Sequence, residues 1–213
     1  IIFRKKKIKI NALQGIFFKK NLNLFKFNNK KKIIDHFKIV IKLCKIFGAK
    51  KIILGSVDFR DPKKISKAKA DRNFVIFFKH LNKFLRKNSI YLCIEPIPMK
   101  YGENYLYNIS HLNYLISKIN SSNFKINFDT SIYHFKKFEK LEFLDNLKNI
   151  KNIQISQPNF KYFENPTKKN LKFLKILKQN KKVRNISLEM IDNQLKKLKF
   201  IKSLKNFRTN LVN

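Results

Sequence analysis

The chain has 213 residues, with 49 Lys and Arg against 13 Asp and Glu, and 44% of its residues are hydrophobic. That apolar content excludes a disordered polycation, and the length fits one domain, which we assign to residues 1–213. No apolar run approaches the roughly 18 residues that a membrane span requires, so no transmembrane segment is predicted and no membrane partner is expected.

Short apolar runs alternate along the chain with longer Lys-rich segments that carry apolar residues at helical spacing. The apolar runs predict six strands, at 8–14, 51–56, 90–96, 124–130, 150–156 and 186–190. The amphipathic segments predict helices at 30–47, 66–87, 109–120, 137–148, 167–180 and 192–205. Six strands that are each followed by a helix predict a parallel α/β architecture.

Such a sheet can stay open, as in a doubly wound fold, or close into a barrel. A doubly wound nucleotide-binding domain has a Gly-rich turn after an early strand, whereas the four glycines of this chain are isolated from one another. A barrel carries its chemistry at the carboxyl ends of many strands. Polar residues recur at those ends: Gln14, Ser56, Glu95, Asp129, Gln154 and Glu189. This distribution favours a (β/α)8 TIM barrel with about six βα units present.

Three of the scarce acidic residues, Glu95, Asp129 and Glu189, each end an apolar strand. A carboxylate in such a place is costly unless it is paired, hydrogen-bonded or bound to a metal. For each one alone, a capping or buried hydrogen-bonding role is the alternative. In a barrel the three side chains converge, and their hard oxygen ligands suit a divalent cation such as Mn²⁺ or Mg²⁺.

The basic charge has two explanations. Only six of the 49 basic residues are Arg, whereas proteins that read nucleic acid favour Arg for its planar fork of donors. Lys, Asn, Ile and Phe have AT-rich codons, so compositional drift accounts for the charge more readily than a nucleic-acid partner does. The two cysteines, Cys44 and Cys93, lie in apolar segments without metal-binding spacing, which predicts buried reduced thiols and fits a cytoplasmic protein.

Several short motifs, in this order and at about one βα unit apart, resemble the xylose isomerase-like TIM barrels. They are Gly55-Ser56 with Arg60, Glu95-Pro96 with Gly102-Glu103-Asn104, Asp129-Thr130, and Ser187-Leu188-Glu189. That superfamily includes sugar-phosphate isomerases and epimerases, AP endonuclease family 2 proteins and, more distantly, endonuclease IV. The resemblance covers nearly the whole chain. It aligns Gln14 with the end of the third barrel strand, so the first two βα units are expected to be missing at the amino terminus.

The resemblance implies a divalent-metal-dependent isomerase or epimerase that acts on a sugar or sugar phosphate. It implies a metal held by Glu95, Asp129, Glu189 and a His, and at that fourth position this chain has Gln154. Mn²⁺, Co²⁺ or Mg²⁺ is expected, and Zn²⁺ ranks below them. It also implies that Glu95 and Glu189 shuttle a proton between adjacent carbons through an enediolate.

For the substrate, Arg60 is expected to bind an anionic group, since guanidinium binds phosphate or carboxylate bidentately. His134, on the loop after Asp129, is expected to bind substrate or metal. Gln14 and Asn104 complete the predicted substrate-binding residues. For Arg60 the alternative is a surface residue of a basic chain, and for His134 it is a loop histidine exposed to solvent.

Two other functions stay open at this point. A non-catalytic or catalytically impaired barrel is suggested by Gln154 in the place of a histidine ligand. A DNA-repair nuclease ranks third, because a three-metal site needs many His and acidic ligands and this chain has four His, mostly on predicted helices. The sequence does not define an oligomeric state.

Overall fold

The computed structural model describes residues 7–135, 140–180, 186–191 and 197–212. The described strands are β1 (Ala12–Leu13), β2 (Lys51–Leu54), β3 (Tyr91–Ile94), β4 (Phe124–Asp129), β5 (Ile150–Ser156) and β6 (Ile186–Glu189). The described α-helices are α1 (Lys30–Phe47), α2 (Lys67–Lys87), α3 (Ile109–Ile119), α4 (Lys140–Asp145), α5 (Lys168–Gln179) and α6 (Lys197–Val212). Each strand is followed by a helix, which confirms the predicted α/β class.

The six strands form one sheet in the order β1-β2-β3-β4-β5-β6. Neighbouring strands run parallel; for example, Ile52 of β2 is in register with Leu92 of β3. Sequential parallel neighbours require a crossover in every connection, and the helices supply it. The described helices include none that is long and apolar enough to cross a membrane.

Several element boundaries differ from the prediction, most of all at the first strand and in the second half of the chain. Strand β1 is much shorter than the predicted 8–14, because only Ala12 and Leu13 pair with β2 and the preceding lysines are exposed. The last helix, predicted at 192–205, runs to Val212, and residues 192–196 lie outside the described part of the chain. The prediction for 137–148 is met by the short helix α4, with residues 136–139 likewise outside the description.

By its internal packing the chain divides into two compact units, residues 1–126 and 127–213, and the boundary falls within β4. In the first unit, helix α1 buries one face at three- and four-residue spacing, formed by Ile33, Phe37, Val40, Ile41 and Cys44. Gly48 ends this helix in the left-handed region (φ 73°), where glycine carries no steric penalty. The single domain predicted for residues 1–213 stays a prediction.

An aromatic cluster forms the core of the second unit. Phe128 of β4 stacks on Phe173 of α5 with ring centroids 5.2 Å apart, and meets Phe143 of α4 edge-on at 4.9 Å. Aromatic pairs in these arrangements add about 0.5–1.5 kcal/mol to the stabilisation from burial. Because side chains alternate along a strand, Asn127 and Asp129 on either side of Phe128 point to the opposite face of the sheet.

Candidate functional site

In the first unit, Glu95 directly follows β3 and is buried. Its backbone N–H donates to the carbonyl of Leu54 at the end of β2, 3.0 Å away. Its side chain lies over Gly55, so closely that a β-carbon at residue 55 would be 2.8 Å from Oε2. The end of β2 therefore fixes where the Glu95 carboxylate lies.

Arg60 is fully buried, and its guanidinium binds protein groups. Nε donates to Oε2 of Glu103 at 2.6 Å, Nη2 donates to the carbonyl of Glu95 at 2.7 Å, and Nη1 donates to that of Leu54 at 3.3 Å. A desolvated guanidinium needs such acceptors. This corrects our expectation that Arg60 is a loop residue facing an anionic substrate group: the structure places it inside the protein, against the backbone of Glu95.

Glu103 is the buried partner of Arg60 that the sequence analysis did not single out for a role. Its second oxygen, Oε1, accepts from the backbone N–H groups of Tyr105 (2.9 Å) and Leu106 (3.0 Å). The carboxylate is thereby satisfied at both oxygens although it is buried. The signal that could have found it is the scarcity of acids, since Glu103 lies in a loop, away from the helical segments where several acids are surface charges.

Gln14 and Asn104, both predicted to bind substrate, are exposed in the first unit. Gln14 directly follows β1. The Asn104 amide donates to Oδ1 of Asp61 at 3.0 Å, which ties its loop to the loop after β2. Their substrate contacts stay predictions.

In the second unit, Asp129 ends β4 and is buried. Its Oδ1 accepts from the backbone N–H of Ser131 and from the hydroxyl of Ser156, each at 2.5 Å. Its Oδ2 is also buried and meets no donor among the residues that the structure describes. A buried carboxylate oxygen without a donor carries an uncompensated desolvation cost, so this atom is free to bind a cation.

Glu189 ends β6 and supplies the second acid of this unit. It is in parallel register with Ser156 of β5, whose hydroxyl holds Asp129. A carboxylate oxygen of Glu189 lies within 4.8 Å of one of Asp129. Two carboxylates this close repel each other unless one binds a proton or a cation lies between them. The pair therefore fits a divalent cation, the ion that hard oxygen ligands prefer.

Gln154, the predicted fourth metal ligand, lies on the same face of β5 as Ser156. Its amide oxygen accepts from the amide nitrogen of Asn127, and Asn127 in turn accepts from the amide nitrogen of Asn152 at 2.8 Å. This buried chain of amides uses one of the two lone pairs of the oxygen with which Gln154 was expected to bind metal. The structure thus gives Gln154 a hydrogen-bonding role within the sheet and does not support the ligand role.

The amide chain belongs to a polar face of the sheet. Strands β4 and β5 alternate polar and apolar residues, and the polar face carries Asn127, Asp129, Asn152, Gln154 and Ser156. The period-two pattern in both segments is the signal that identifies this face.

His134 follows the single 3₁₀ turn after Asp129, and both of its ring nitrogens are buried. Neither makes a hydrogen bond within the described residues. Burial lowers the pKa of His134 below its usual value of 6.5, and this outweighs the opposing pull of the Asp129 carboxylate. Burial thus favours the neutral form of this imidazole.

An open cleft of about 530 Å³ lies beside the carboxyl end of β5. Its lining includes Gln157, Tyr162, Thr167 and Ile191, of which Ile191 comes two residues after Glu189. Such a volume accommodates a small polar ligand. The cleft brings hydroxyl and amide groups to the end of the sheet that carries the acids of this unit.

Comparison with known proteins gives a family and a fold. The family model described as xylose isomerase-like TIM barrel matches residues 2–205. A 3-keto-D-glucoside 4-epimerase from E. coli superposes with a TM-score of 0.79 at 12% sequence identity, over 97% of this chain and 81% of that one. A comparison with curated proteins finds no match.

Two further solved structures have the same fold. D-allulose 3-epimerase from Methylomonas sp. has a TM-score of 0.77 at 14% identity, over 99% of this chain and 80% of that one, and it has also been solved in complex with D-allulose. The IOLI protein, solved with a zinc atom, has a TM-score of 0.72 at 17% identity, over 96% and 77% of the two chains. At these identities the likeness shows the barrel fold that the sequence predicted.

Proposed function

Because the chain belongs to the xylose isomerase-like TIM barrel family, we propose that it is a divalent-metal-dependent isomerase or epimerase that acts on a sugar or sugar phosphate. One observation carries the proposal: the buried carboxylate of Asp129 and the half-buried carboxylate of Glu189 approach within 4.8 Å, and Oδ2 of Asp129 has no donor among the described residues. A buried carboxylate beside a second one is costly unless a cation compensates their charge.

Glu95 is the third proposed ligand. It follows β3, whose last residue, Ile94, is in register with Ile126, three residues before Asp129 on β4. Parallel strands end at the same edge of a sheet, so the proposal places the carboxylates of Glu95 and Asp129 at that edge. Mn²⁺, Co²⁺ and Mg²⁺ are the proposed ions, and the solved IOLI protein holds zinc.

The chemistry assigned to these residues is proton transfer next to a carbonyl. When bound, the cation would polarise the carbonyl oxygen of the sugar and make the adjacent C–H more acidic. Of Glu95 and Glu189, one carboxylate accepts that proton and the other delivers a proton to the neighbouring carbon or the opposite face. The neutral imidazole of His134 orients a substrate hydroxyl through its free ring nitrogen.

The substrate class rests on the neighbours and on the site. The two epimerase neighbours act on a 3-keto-D-glucoside and on D-allulose. The burial of Arg60 removes the residue that we expected to bind a phosphate. Gln14 and Asn104 are proposed to contact the sugar hydroxyls. The cytoplasmic location is likewise a proposal, supported by two buried free thiols, Cys44 and Cys93.

Solvent exchange tests the reaction directly. The full chain is incubated in D₂O with Mn²⁺, Co²⁺ or Mg²⁺ and a panel of ketoses and sugar phosphates, and deuterium uptake next to the carbonyl is followed by NMR. Glu95→Gln and Glu189→Gln should abolish uptake, whereas Asp35→Asn, at an exposed acid paired with Lys38, should leave it unchanged. Unchanged uptake in both glutamine variants would reject the catalytic role of the two glutamates.

A non-catalytic barrel is the second candidate, and Gln154 is the observation that favours it. The position that holds a metal-binding His in the family carries an amide whose oxygen is bound by Asn127. A full chain that binds no divalent cation and exchanges no substrate proton would favour this candidate over the enzyme.

A further inference from the structure

Residues of the preceding βα unit bind the backbone of Glu95 and border its carboxylate. We infer that Gly55 and the buried pair of Arg60 and Glu103 are positioning residues for Glu95: the pair fixes its backbone, and Gly55 leaves the space that its carboxylate occupies. The inference deepens the proposed function and rests on it for the role of Glu95. It gives Arg60 a task that replaces the substrate contact expected from sequence.

The first argument concerns the backbone of Glu95, which is bound on both sides. Its N–H donates to the carbonyl of Leu54 at 3.0 Å, and its own carbonyl accepts from Nη2 of Arg60 at 2.7 Å. Nη1 of the same guanidinium reaches the Leu54 carbonyl at 3.3 Å. One side chain thus ties the ends of β2 and β3 together at the residue that carries the carboxylate. Only a planar fork of donors can reach both carbonyls at once.

The second argument concerns the charge of that guanidinium. Arg60 and Glu103 are each fully buried at the side chain, and Oε2 of Glu103 lies 2.6 Å from Nη2 and from Nε of Arg60. Without Glu103 the buried guanidinium would carry an unpaired charge and would favour a more hydrated position. Glu103 therefore keeps Arg60 on the Glu95 carbonyl.

The third argument concerns Gly55. Gly15, Gly48 and Gly102 all have positive φ, and a β-carbon on each would meet nothing within 4 Å, so their backbone conformation explains them. Gly55 is the reverse case. Its φ lies outside the range that disfavours other residues, and a β-carbon there would be 2.8 Å from Oε2 and 3.3 Å from Cδ of Glu95. The glycine is needed for the space that the carboxylate occupies.

Gly55→Ala therefore tests the inference with little effect on the fold. The atom displaced is the end of a flexible side chain, and alanine restricts the unfolded chain more than glycine does, so the melting temperature should not fall. The Mn²⁺ dissociation constant, measured by calorimetry on the full chain, should rise about tenfold or more, because disturbing the groups that orient a metal ligand typically costs about 10–100-fold in metal affinity.

A double-variant cycle separates positioning from a general structural effect. If Gly55 acts through the Glu95 carboxylate, adding Gly55→Ala to Glu95→Gln should change the Mn²⁺ affinity by less than about twofold. The same tenfold loss in both backgrounds, or no loss in either, would overturn the inference.

Crystal structures decide the question even if the protein binds no cation. In Gly55→Ala the Oε2 atom of Glu95 should move about 0.6 Å, from 2.8 Å to the 3.4 Å of an ordinary contact with a β-carbon. In Arg60→Lys the Glu95 carbonyl should lose its side-chain donor and rotate. A wild-type protein without Mn²⁺ affinity contradicts the proposed function alone. A Glu95 side chain in its original place in both variants contradicts the positioning inference alone.

Discussion

A carboxylate oxygen of Glu189 lies within 4.8 Å of one of Asp129, although the two residues end different strands. Ser156 links them: its hydroxyl donates to Asp129, and its backbone is in register with Glu189. The opposite oxygen of Asp129 is buried without a donor among the described residues. This pair has the properties of a cation site, and the predictions below follow from it and from the buried groups around it.

Asp129→Asn should relieve the repulsion between the two acids and remove the stabilisation that a cation supplies. The asparagine carbonyl oxygen still accepts from Ser131 and Ser156, so the apo melting temperature should stay the same or rise. With Mn²⁺ at a hundred times its dissociation constant, the wild-type protein should gain about 2.7 kcal/mol of unfolding free energy, and the variant should gain almost none. Thermal melts with and without Mn²⁺ measure both effects.

Asp35→Asn is the matched control, because Asp35 is half exposed and pairs with Lys38 on the surface of α1. It should keep the whole Mn²⁺-dependent gain. If both variants lost the Mn²⁺-dependent increase in unfolding free energy equally, the ion would be attracted by the overall charge of the protein and not bound by Asp129.

Glu103→Gln should destabilise the fold strongly, because it leaves the fully buried guanidinium of Arg60 without a counter-charge. Breaking one side of such a pair costs about 3–5 kcal/mol. Replacing both partners together, as in Arg60→Met with Glu103→Leu, should cost less than Glu103→Gln alone, since no unpaired charge remains buried. Urea unfolding of the three proteins measures the difference, and a cost below about 1 kcal/mol for Glu103→Gln would contradict the buried ion pair.

His134 should make stability fall as the pH is lowered. Burial holds the pKa of His134 below its usual value of 6.5, so the unfolded chain binds a proton at this residue before the folded chain does. The effect is absent at pH 8, begins as the pH falls through about 6.5, and grows until the pH reaches the lowered pKa of the folded state. Urea midpoints between pH 8 and pH 5 measure it.

The comparison protein is His134→Gln, which removes only this titration and keeps the other three histidines. As the pH falls below 6.5, the urea unfolding midpoint of this variant should decrease less steeply than that of the wild-type protein. Parallel curves would mean that His134 is equally accessible to protons in both states.

Cys44 should resist alkylation in the folded protein. Its side chain is fully buried, and burial raises the pKa of the thiol to about 11, so at pH 8 the reactive thiolate is scarce as well as inaccessible. Iodoacetamide should leave Cys44 and the equally buried Cys93 unmodified in buffer and should modify both in 6 M urea. Mass spectrometry of the labelled chain reads the result, and rapid labelling of Cys44 in buffer would place it at the surface.

Much of the fold was predictable because its signals are local and repeated. Ile33, Phe37 and Cys44 recur at helical spacing and so predict the buried face of α1. Gly48 marks where that helix ends. Strand β1 was overestimated because an apolar run does not show how many of its residues find a partner strand; here only Ala12 and Leu13 do.

The site was only partly predictable, because partners distant in sequence decide what a polar residue does. The position of Asp129 and Glu189 at strand ends was enough to bring them together. The roles of Arg60 and Gln154 could not be predicted in this way. Each is decided by a hydrogen-bond partner on another element, Glu103 for Arg60 and Asn127 for Gln154. That Glu95 joins the other two acids at one cation stays a prediction.

Mn²⁺ binding to the full chain tests that central claim most directly. Titration followed by electron paramagnetic resonance of free Mn²⁺ should show one site in the wild-type protein and in Asp35→Asn. Glu95→Gln, Asp129→Asn and Glu189→Gln should each weaken that site by about a hundredfold, as expected when a charged ligand of a divalent ion is lost. Wild-type affinity in any of these three variants would contradict the account.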